Sequence, residues 1–163
     1  HCSECPPQLL ERLSKLQAVI VTQPPFLYYS GERYLAELPA SRLRWLYRIK
    51  SPLDSGLTVA GSSDCPVVRD NPLVGIYAAV TRRAESGQQL SPQECVSATQ
   101  ALTMYTVNAA YSSFEDGMKG SITPGKLADM VVLSDDPTKA SPAQIKDIEV
   151  EVTIIGGKVV WEA

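Results

Sequence analysis

Two short apolar runs constrain the fold of this chain more than any other feature of its sequence. Residues 18–22 and 57–63 show almost no alternation of polar and apolar side chains. This pattern is typical of strands that are covered on both faces in a parallel sheet. Helical sequence follows both runs, the second helix opening at Asn71-Pro72. Strands that alternate with helices predict parallel βαβ units and therefore an α/β fold.

Apolar spacing and capping residues predict further helices around these strands. Residues 6–16 place four leucines on one helical face. A polar-aromatic loop is expected at 26–31, followed by helical sequence at 32–38 and again at 41–53. Ser91-Pro-Gln-Glu94 has the pattern of a capping box and predicts a helix that runs to about residue 105.

The character of the sequence changes near Gly117. Residues 128–133 and 148–155 are predicted strands, and Gly156-Gly157 joins the second of them to residues 158–161 as a two-residue hairpin. The sequence therefore predicts two parts, with a boundary near residue 115. Residues 1–115 would form the α/β body and residues 116–163 a small β unit.

Composition excludes several classes of function. The net charge of −3 gives no basic surface for nucleic acid or for an acidic membrane. No apolar run approaches the roughly 18 residues that span a bilayer. The four cysteines are too few and too scattered for a secreted disulfide scaffold, and no signal-peptide pattern is present. We therefore expect a cytoplasmic protein that binds neither nucleic acid nor membrane.

Two local motifs resemble binding sites but lack essential residues. Cys2-Ser-Glu-Cys5 has the spacing of half a zinc knuckle, but the chain has one histidine and no second such pair. Residues 120–127 nearly match a phosphate-binding loop, but Leu127 cannot ligate magnesium and Pro124 removes an amide donor. We expect a Pro-Gly turn that leads into a strand, and no bound nucleotide.

Asp64 is the most suggestive residue for chemistry. It ends a predicted buried strand, and ligands gather at the carboxyl ends of parallel strands, although a helix cap or a turn would also account for an aspartate here. His1 and Gln23 precede or end neighbouring βα units. The side chains of His1, Gln23 and Asp64 can therefore point into one site. A histidine and a carboxylate suit zinc or a related divalent metal, but a catalytic zinc needs three or more protein ligands.

Seven motifs, in order along nearly the whole chain, resemble the C-terminal part of amidohydrolase family 3, the branch of the amidohydrolase superfamily that includes N-substituted formamide deformylases. They are Val21-Thr-Gln-Pro24, Ser51-Pro-Leu-Asp-Ser-Gly56, Ala60-Gly-Ser-Ser-Asp64-Cys-Pro-Val67, Ala79-Val-Thr-Arg82, Tyr105-Thr-Val-Asn-Ala109, Gly120-Ser-Ile-Thr-Pro-Gly-Lys-Leu-Ala-Asp129 and Val131-Val-Leu-Ser-Asp-Asp-Pro137. The resemblance implies the C-terminal portion of a (β/α)8 TIM-type barrel, with strands seven and eight, plus the C-terminal strands of a small flanking β-sandwich.

The resemblance also implies roles for single residues. His1 corresponds to the metal-ligating histidine that ends strand six. Asp64 corresponds to the aspartate that ends strand eight, contacts the metal and carries a proton from the attacking water to the leaving group. Gln23, Ser63 and Cys65, together with Ser62, line the expected mouth and are candidates for substrate binding, with contact to solvent or packing as the alternative role. The implied reaction is hydrolysis of an amide-type C–N bond, other than a peptide bond, in a small molecule.

Other residues of the family site have no counterpart in the chain. These are the HxH pair of strand one, the carboxylate or carboxylated lysine of strand four and the histidine of strand five. The chain opens on His1 and its first methionine is Met104, so we expect upstream residues to have been cut away, a tag remnant ending at His1 being the alternative. Alone, the chain is expected to be inactive and to hold little or no zinc.

We expect a partner to complete the chain, either the missing N-terminal part of the barrel or, second, another copy in a self-associated dimer. The alternative hypothesis to a hydrolase is a non-catalytic fragment or a degenerate partner subunit that folds only by association. A receiver-like signalling domain with Asp64 as phosphoacceptor is a further alternative, but it requires an acidic cluster and a late lysine that the sequence lacks.

Overall fold

Two parallel strands form the first sheet of the computed structural model, which describes all 163 residues. β1 (Ile20–Thr22) pairs with β2 (Val59–Gly61), and Val21 lies opposite Ala60. The amide of Ser62 extends the ladder by donating to the carbonyl of Thr22 at 2.9 Å. The predicted parallel βαβ arrangement is confirmed. The sheet has two strands and is not a closed barrel.

Seven α-helices surround this sheet or follow it. They are α1 (Pro7–Lys15), α2 (Pro25–Glu37), α3 (Ala40–Leu43), α4 (Lys50–Asp54), α5 (Pro72–Thr81), α6 (Ala98–Tyr105) and α7 (Val107–Ser112). α1 and α5 agree with the sequence. The side chain of Asn71 accepts a hydrogen bond from the amide of Leu73 at 2.9 Å, and Pro72 occupies the first turn of α5. None of the helices is both long and apolar enough to span a bilayer.

The predicted loop at 26–31 and the single helix at 41–53 are both wrong. Residues 26–31 belong to α2, because Pro25 suits a first helical turn and Gly31 allows close contact. A Cβ atom on Gly31 would lie 2.7 Å from that of Ala84. The stretch 41–53 is divided into α3 and α4, because Tyr47 has a left-handed backbone with φ of 42°.

The predicted start of the following helix is also wrong. Ser91 has φ of 48° and no capping hydrogen bond, and only a short 3-10 turn follows at Pro92–Glu94. The capping box lies six residues later, where the Ser97 side chain accepts from the amide of Gln100 and the Gln100 side chain accepts from the amide of Ser97. α6 therefore begins at Ala98, and its end at Tyr105 agrees with the prediction.

The second sheet has three antiparallel strands in the order β3 (Met130–Leu133), β4 (Val150–Ile155) and β5 (Lys158–Glu162). The two-residue hairpin is confirmed, since Gly156 and Gly157 join β4 to β5 with φ of 58° and 78°. The phosphate-loop-like segment is a turn, as predicted. There Gly125 has φ of 95°, and Lys126 Nζ donates to the carbonyl of Lys119 at 3.3 Å.

One hydrophobic core connects the two parts of the chain. Val59 of β2, Ile76 of α5 and Met104 of α6 are 2% exposed or less. Ile145, from a 3-10 turn before β4, is fully buried in the same cluster. The chain is therefore a mixed α/β protein whose first sheet carries polar residues at its carboxyl ends. The predicted boundary near residue 115 falls between α7 and β3.

Candidate functional site

Asp64 lies three residues beyond β2, at the carboxyl end of the parallel sheet. Its backbone is left-handed, with φ of 56°, a conformation in which aspartate is enriched among non-glycine residues. The hydroxyl of Ser62 accepts a hydrogen bond from the amide of Asp64 at 3.1 Å. This local turn directs the carboxylate away from the strand while its side chain stays 40% exposed.

His1 meets Asp64 at this position. The imidazole Nε2 lies 3.2 Å from Asp64 Oδ2, and the histidine side chain is half exposed. The N-terminal segment is fixed by backbone hydrogen bonds to residues 45–47. The amide of Tyr47 donates to the carbonyl of Ser3 at 2.8 Å, and the amide of Cys5 donates to the carbonyl of Trp45 at 3.0 Å. Residues 63 positions apart in the sequence therefore form one polar pair.

Two aromatic rings pack next to the histidine. The ring of Phe26, in the first turn of α2, lies 6.1 Å from the imidazole of His1, centroid to centroid. Tyr47 meets Phe26 edge to face at 5.8 Å. Burial raises the pKa of the Tyr47 hydroxyl, neighbouring Tyr34 raises it further, and the charge of Asp64 adds a smaller contribution. The hydroxyl therefore stays protonated at neutral pH.

The other predicted site residues lie around the pair in different environments. Gln23 follows β1, is 3% exposed, and its Oε1 has no hydrogen-bond partner within the chain. The hydroxyl of Ser63 accepts from the amide of Cys65 at 3.3 Å. Cys65 is exposed and lines an open cavity of about 820 Å³ together with Tyr28 and Tyr29. Their roles in substrate binding stay predictions.

The cysteines form no metal cluster and no disulfide. All four are free, and no group of three or more His, Cys, Asp or Glu side chains in the chain is arranged to hold a metal. Cys5 is fully buried, and burial, with a further contribution from Cys2, raises the pKa of its thiol to about 12.

The donor set at the pair fits part of a divalent-metal site. Neutral imidazole and carboxylate are both zinc ligands. Zinc held tetrahedrally at about 2.0–2.1 Å keeps two donor atoms about 3.3 Å apart, and the two donors of His1 and Asp64 are 3.2 Å apart. Both side chains remain accessible. Two donors are fewer than the three protein ligands that a catalytic zinc takes.

A group of buried charges beside the site was missed by the sequence analysis. Glu94 is 2% exposed and accepts hydrogen bonds from Arg48 Nε and from the amide of Ser51, both at 2.9 Å. Arg48 Nη1 donates to the carbonyl of Cys5 at 2.9 Å, beside the segment that carries His1. Arg82 is fully buried. Its position after an apolar helix gave no signal that its side chain turns back into the core.

Parallel α/β proteins commonly bind ligands at the carboxyl ends of their strands, and this chain has a histidine–carboxylate pair at that edge of its first sheet. The sequence profile of the amidohydrolase family matches residues 1–161. The chain therefore belongs to the amidohydrolase family.

Individual relatives support this assignment. YtcJ of Bacillus subtilis is 30% identical over 165 residues, covering 99% of this chain, and N-substituted formamide deformylase of Arthrobacter pascens is 35% identical over 117 residues, covering 72%. The crystal structure of an uncharacterized metal-dependent hydrolase from Pyrococcus horikoshii superposes with a TM-score of 0.76, at 25% identity over 88% of this chain. The chain spans 31%, 22% and 29% of these proteins, respectively.

Proposed function

We propose that the chain is the C-terminal portion of a metal-dependent amidohydrolase, supplying strands seven and eight of a (β/α)8 barrel and the last strands of a flanking β-sandwich. The observation that carries the proposal is the His1–Asp64 pair at the carboxyl ends of the parallel strands, where barrel enzymes bind substrate. The relatives support it, because one is named a formamide deformylase and one a metal-dependent hydrolase.

The substrate is an amide-type C–N bond, other than a peptide bond, in a small molecule. His1, as a neutral imidazole, and Asp64 are two of the ligands for a divalent metal, which we propose to be zinc. A metal in such a site supplies acidification of water and polarisation of the scissile carbonyl. Asp64 accepts the proton of the attacking water at a carboxylate oxygen and delivers it to the departing nitrogen, as a positioned acid–base group does.

The remaining ligands come from polypeptide outside this chain, most simply from the other strands of the same barrel. Exposed apolar side chains support such a partner. Val19, next to β1, is 41% exposed, and Val21, within β1, is 40% exposed. Every residue of β5 is also exposed. We use the term complete protein for this chain together with the polypeptide that supplies the remaining ligands.

An assay of the complete protein tests the proposal. It should release amine from N-substituted formamides or N-acyl amines, lose that activity after chelation and regain it when zinc is returned. A complete protein that binds the metal but cleaves no C–N bond in either substrate class would support the non-catalytic alternative instead.

A further inference from the structure

Arg82 is a fully buried cation, and each of its three guanidinium nitrogens donates to a main-chain carbonyl oxygen. It directly follows α5, in a left-handed conformation with φ of 51°. Its Nε donates to the carbonyl of Leu90 at 2.7 Å, Nη1 to that of Tyr47 at 2.7 Å and Nη2 to that of Leu46 at 2.8 Å. Every guanidinium nitrogen therefore has a partner, and the three partners belong to two separate segments.

No carboxylate neutralises this cation by direct contact. The nearby buried carboxylate of Glu94 is hydrogen-bonded to Arg48 and Ser51 instead. Burial lowers the pKa of Arg82 to about 10, opposed by the charge of Glu94, so the side chain remains charged at neutral pH. Burying a charge without a contacting counter-ion is costly. An apolar side chain would fill this space without burying a charge. The reason for an arginine here is therefore sought in its three hydrogen bonds to carbonyl oxygens.

Two of these carbonyls belong to the segment that supports His1. Leu46 forms an antiparallel bridge with Glu4. Tyr47 donates its amide to the carbonyl of Ser3, two residues from the histidine, at 2.8 Å. The ring of Tyr47 also packs on Phe26, which in turn contacts the imidazole of His1. Arg82 is thus linked to His1 in two ways, through backbone hydrogen bonds to the N-terminal segment and through the packed rings of Tyr47 and Phe26.

We propose that Arg82 is a positioning residue for His1. Its hydrogen bonds to the carbonyls of Leu46 and Tyr47 fix the backbone to which the N-terminal segment bonds. They also fix the ring of Tyr47, which packs on Phe26, the residue in contact with the imidazole. The inference rests on the proposed role of His1 as a metal ligand. It assigns a task to the Ala79–Arg82 motif, which has no contact with the His1–Asp64 pair.

Lysine cannot perform this task. The guanidinium presents its donors in a rigid planar fork that reaches three carbonyls in fixed directions, whereas an ammonium group is a point charge on a flexible stem. Arg82→Lys therefore keeps the charge and most of the volume but frees at least one of the three carbonyls. The segment at 46–47 becomes less constrained, and the imidazole with it.

The test is the zinc dissociation constant of the complete protein, measured by competition with a chelating dye. Partners bonded directly to a metal ligand typically contribute 10–100-fold to metal affinity, and Arg82 acts one step further away, through the backbone. Arg82→Lys should therefore raise the dissociation constant by up to about 10-fold. Phe26→Leu, which removes only the ring contact, should raise it by a smaller factor. His1→Ala is the positive control.

Ile145→Ala separates positioning from general loss of stability. Ile145 is fully buried in the core but has no part in the contacts around Arg82, so this variant should lower the melting temperature while leaving zinc affinity at the parent value. Zinc affinity within twofold of the parent in Arg82→Lys would overturn the inference, whatever the effect of Phe26→Leu. If Arg82→Lys does not fold, Arg82→Met, which keeps most of the packing and removes every donor, decides in its place by the same threshold. A parent whose zinc affinity is unchanged by His1→Ala would overturn the proposed function and this inference together.

Discussion

Asp64 carries most of the proposed chemistry at the scale of single residues. Its amide is held by Ser62, and its carboxylate faces His1 at 3.2 Å with 40% of the side chain exposed. This combination of a fixed backbone and an accessible carboxylate suits a group that both contacts a metal and transfers a proton. The same exposure gives direct access to water and substrate.

Replacing Asp64 by asparagine tests the proton transfer. Asparagine is nearly isosteric but cannot accept the proton, so kcat of the complete protein should fall by roughly 10²–10⁴-fold while the fold is retained. Steady-state kinetics and circular dichroism would measure both properties, with Asp116→Asn, at an exposed aspartate outside the site, as the matched control. A kcat within a few-fold of the parent, with metal still bound, would contradict the acid–base role.

Glu94 gives a prediction for the dependence of stability on pH. Burial raises the pKa of this carboxyl, but hydrogen bonds from Ser51 and Arg48 outweigh it and hold the pKa below its ordinary value of 4.5. A carboxylate with a lowered folded pKa stabilises the protein fully above its unfolded pKa. This contribution is therefore lost as the pH falls from 4.5 through the folded value.

Thermal unfolding between pH 7 and pH 3 would measure this loss. Glu94→Gln should be less stable than the parent at pH 7, and the difference should shrink toward pH 3. Glu149→Gln, at an exposed glutamate, should keep the pH dependence of the parent. A constant difference between Glu94→Gln and the parent across this range would show that the ionised form of Glu94 is not what stabilises the fold.

At the scale of elements, β2, α5 and α6 meet around one side chain. Tyr105 of α6 packs where two glycines leave space, since a Cβ on Gly61 would lie 2.5 Å from its ring and a Cβ on Gly75 would lie 1.9 Å from its hydroxyl oxygen. That hydroxyl is buried without a hydrogen-bond partner in the chain. Asn108, one turn later, donates to the carbonyl of Val59 at 2.9 Å. α6 and α7 are thereby fixed against β2.

Gly75→Ala should destabilise the protein by about 1–3 kcal/mol, because the added methyl group overpacks this contact. Tyr105→Phe should be neutral or stabilising, since it removes a buried hydroxyl that lacks a partner, and it should recover part of the loss in the double variant. Gly117→Ala is the matched control, because no atom lies within 4 Å of its added Cβ. Urea unfolding would decide, and equal effects of Gly75→Ala and Gly117→Ala would refute the packing argument.

The sequence could predict the elements that depend on local signals. Apolar runs identified β1 and β2, Asn71-Pro72 identified the start of α5, and Gly156-Gly157 identified the hairpin. It could not predict the division between α3 and α4, because the left-handed conformation of Tyr47 accompanies tertiary bonds to Ser3 and Arg82. Long-range contacts of this kind override local helical preference.

Some residues of the candidate site could likewise be predicted from the sequence, and others could not. Asp64 could be singled out because it ends a buried strand within a recognisable motif. Phe26 could not, because the polar and aromatic residues around it predict a loop. Arg82 lies in a recognisable motif, but no local pattern indicates that its side chain turns inward. The supports of the site are therefore visible only in three dimensions.

At the scale of the whole molecule, the open sheets predict how the chain behaves when isolated. An unpaired sheet edge and an apolar face with nothing opposite favour association. Val159, Val160 and Trp161 of β5 are each at least 49% exposed. We therefore expect the isolated chain to be poorly ordered or to self-associate, and to become ordered when the rest of the proposed barrel is supplied.

Light scattering combined with mass spectrometry would measure that assembly. The expected result is a complex with the remaining polypeptide or, second, a dimer. A homogeneous monomer of 17.7 kDa that melts cooperatively would show that the chain buries these faces by itself, and would contradict the partial-barrel proposal.

We infer that His1 and Asp64 are part of a metal site that polypeptide outside this chain completes. The number of zinc ions retained per chain after exhaustive dialysis is the decisive measurement. The complete protein should hold stoichiometric zinc tightly and lose it when both residues are replaced by alanine. The isolated chain should retain almost none, because two ligands leave the ion largely hydrated. Stoichiometric zinc in the isolated chain, or undiminished zinc in the complete protein after both replacements, would contradict this inference.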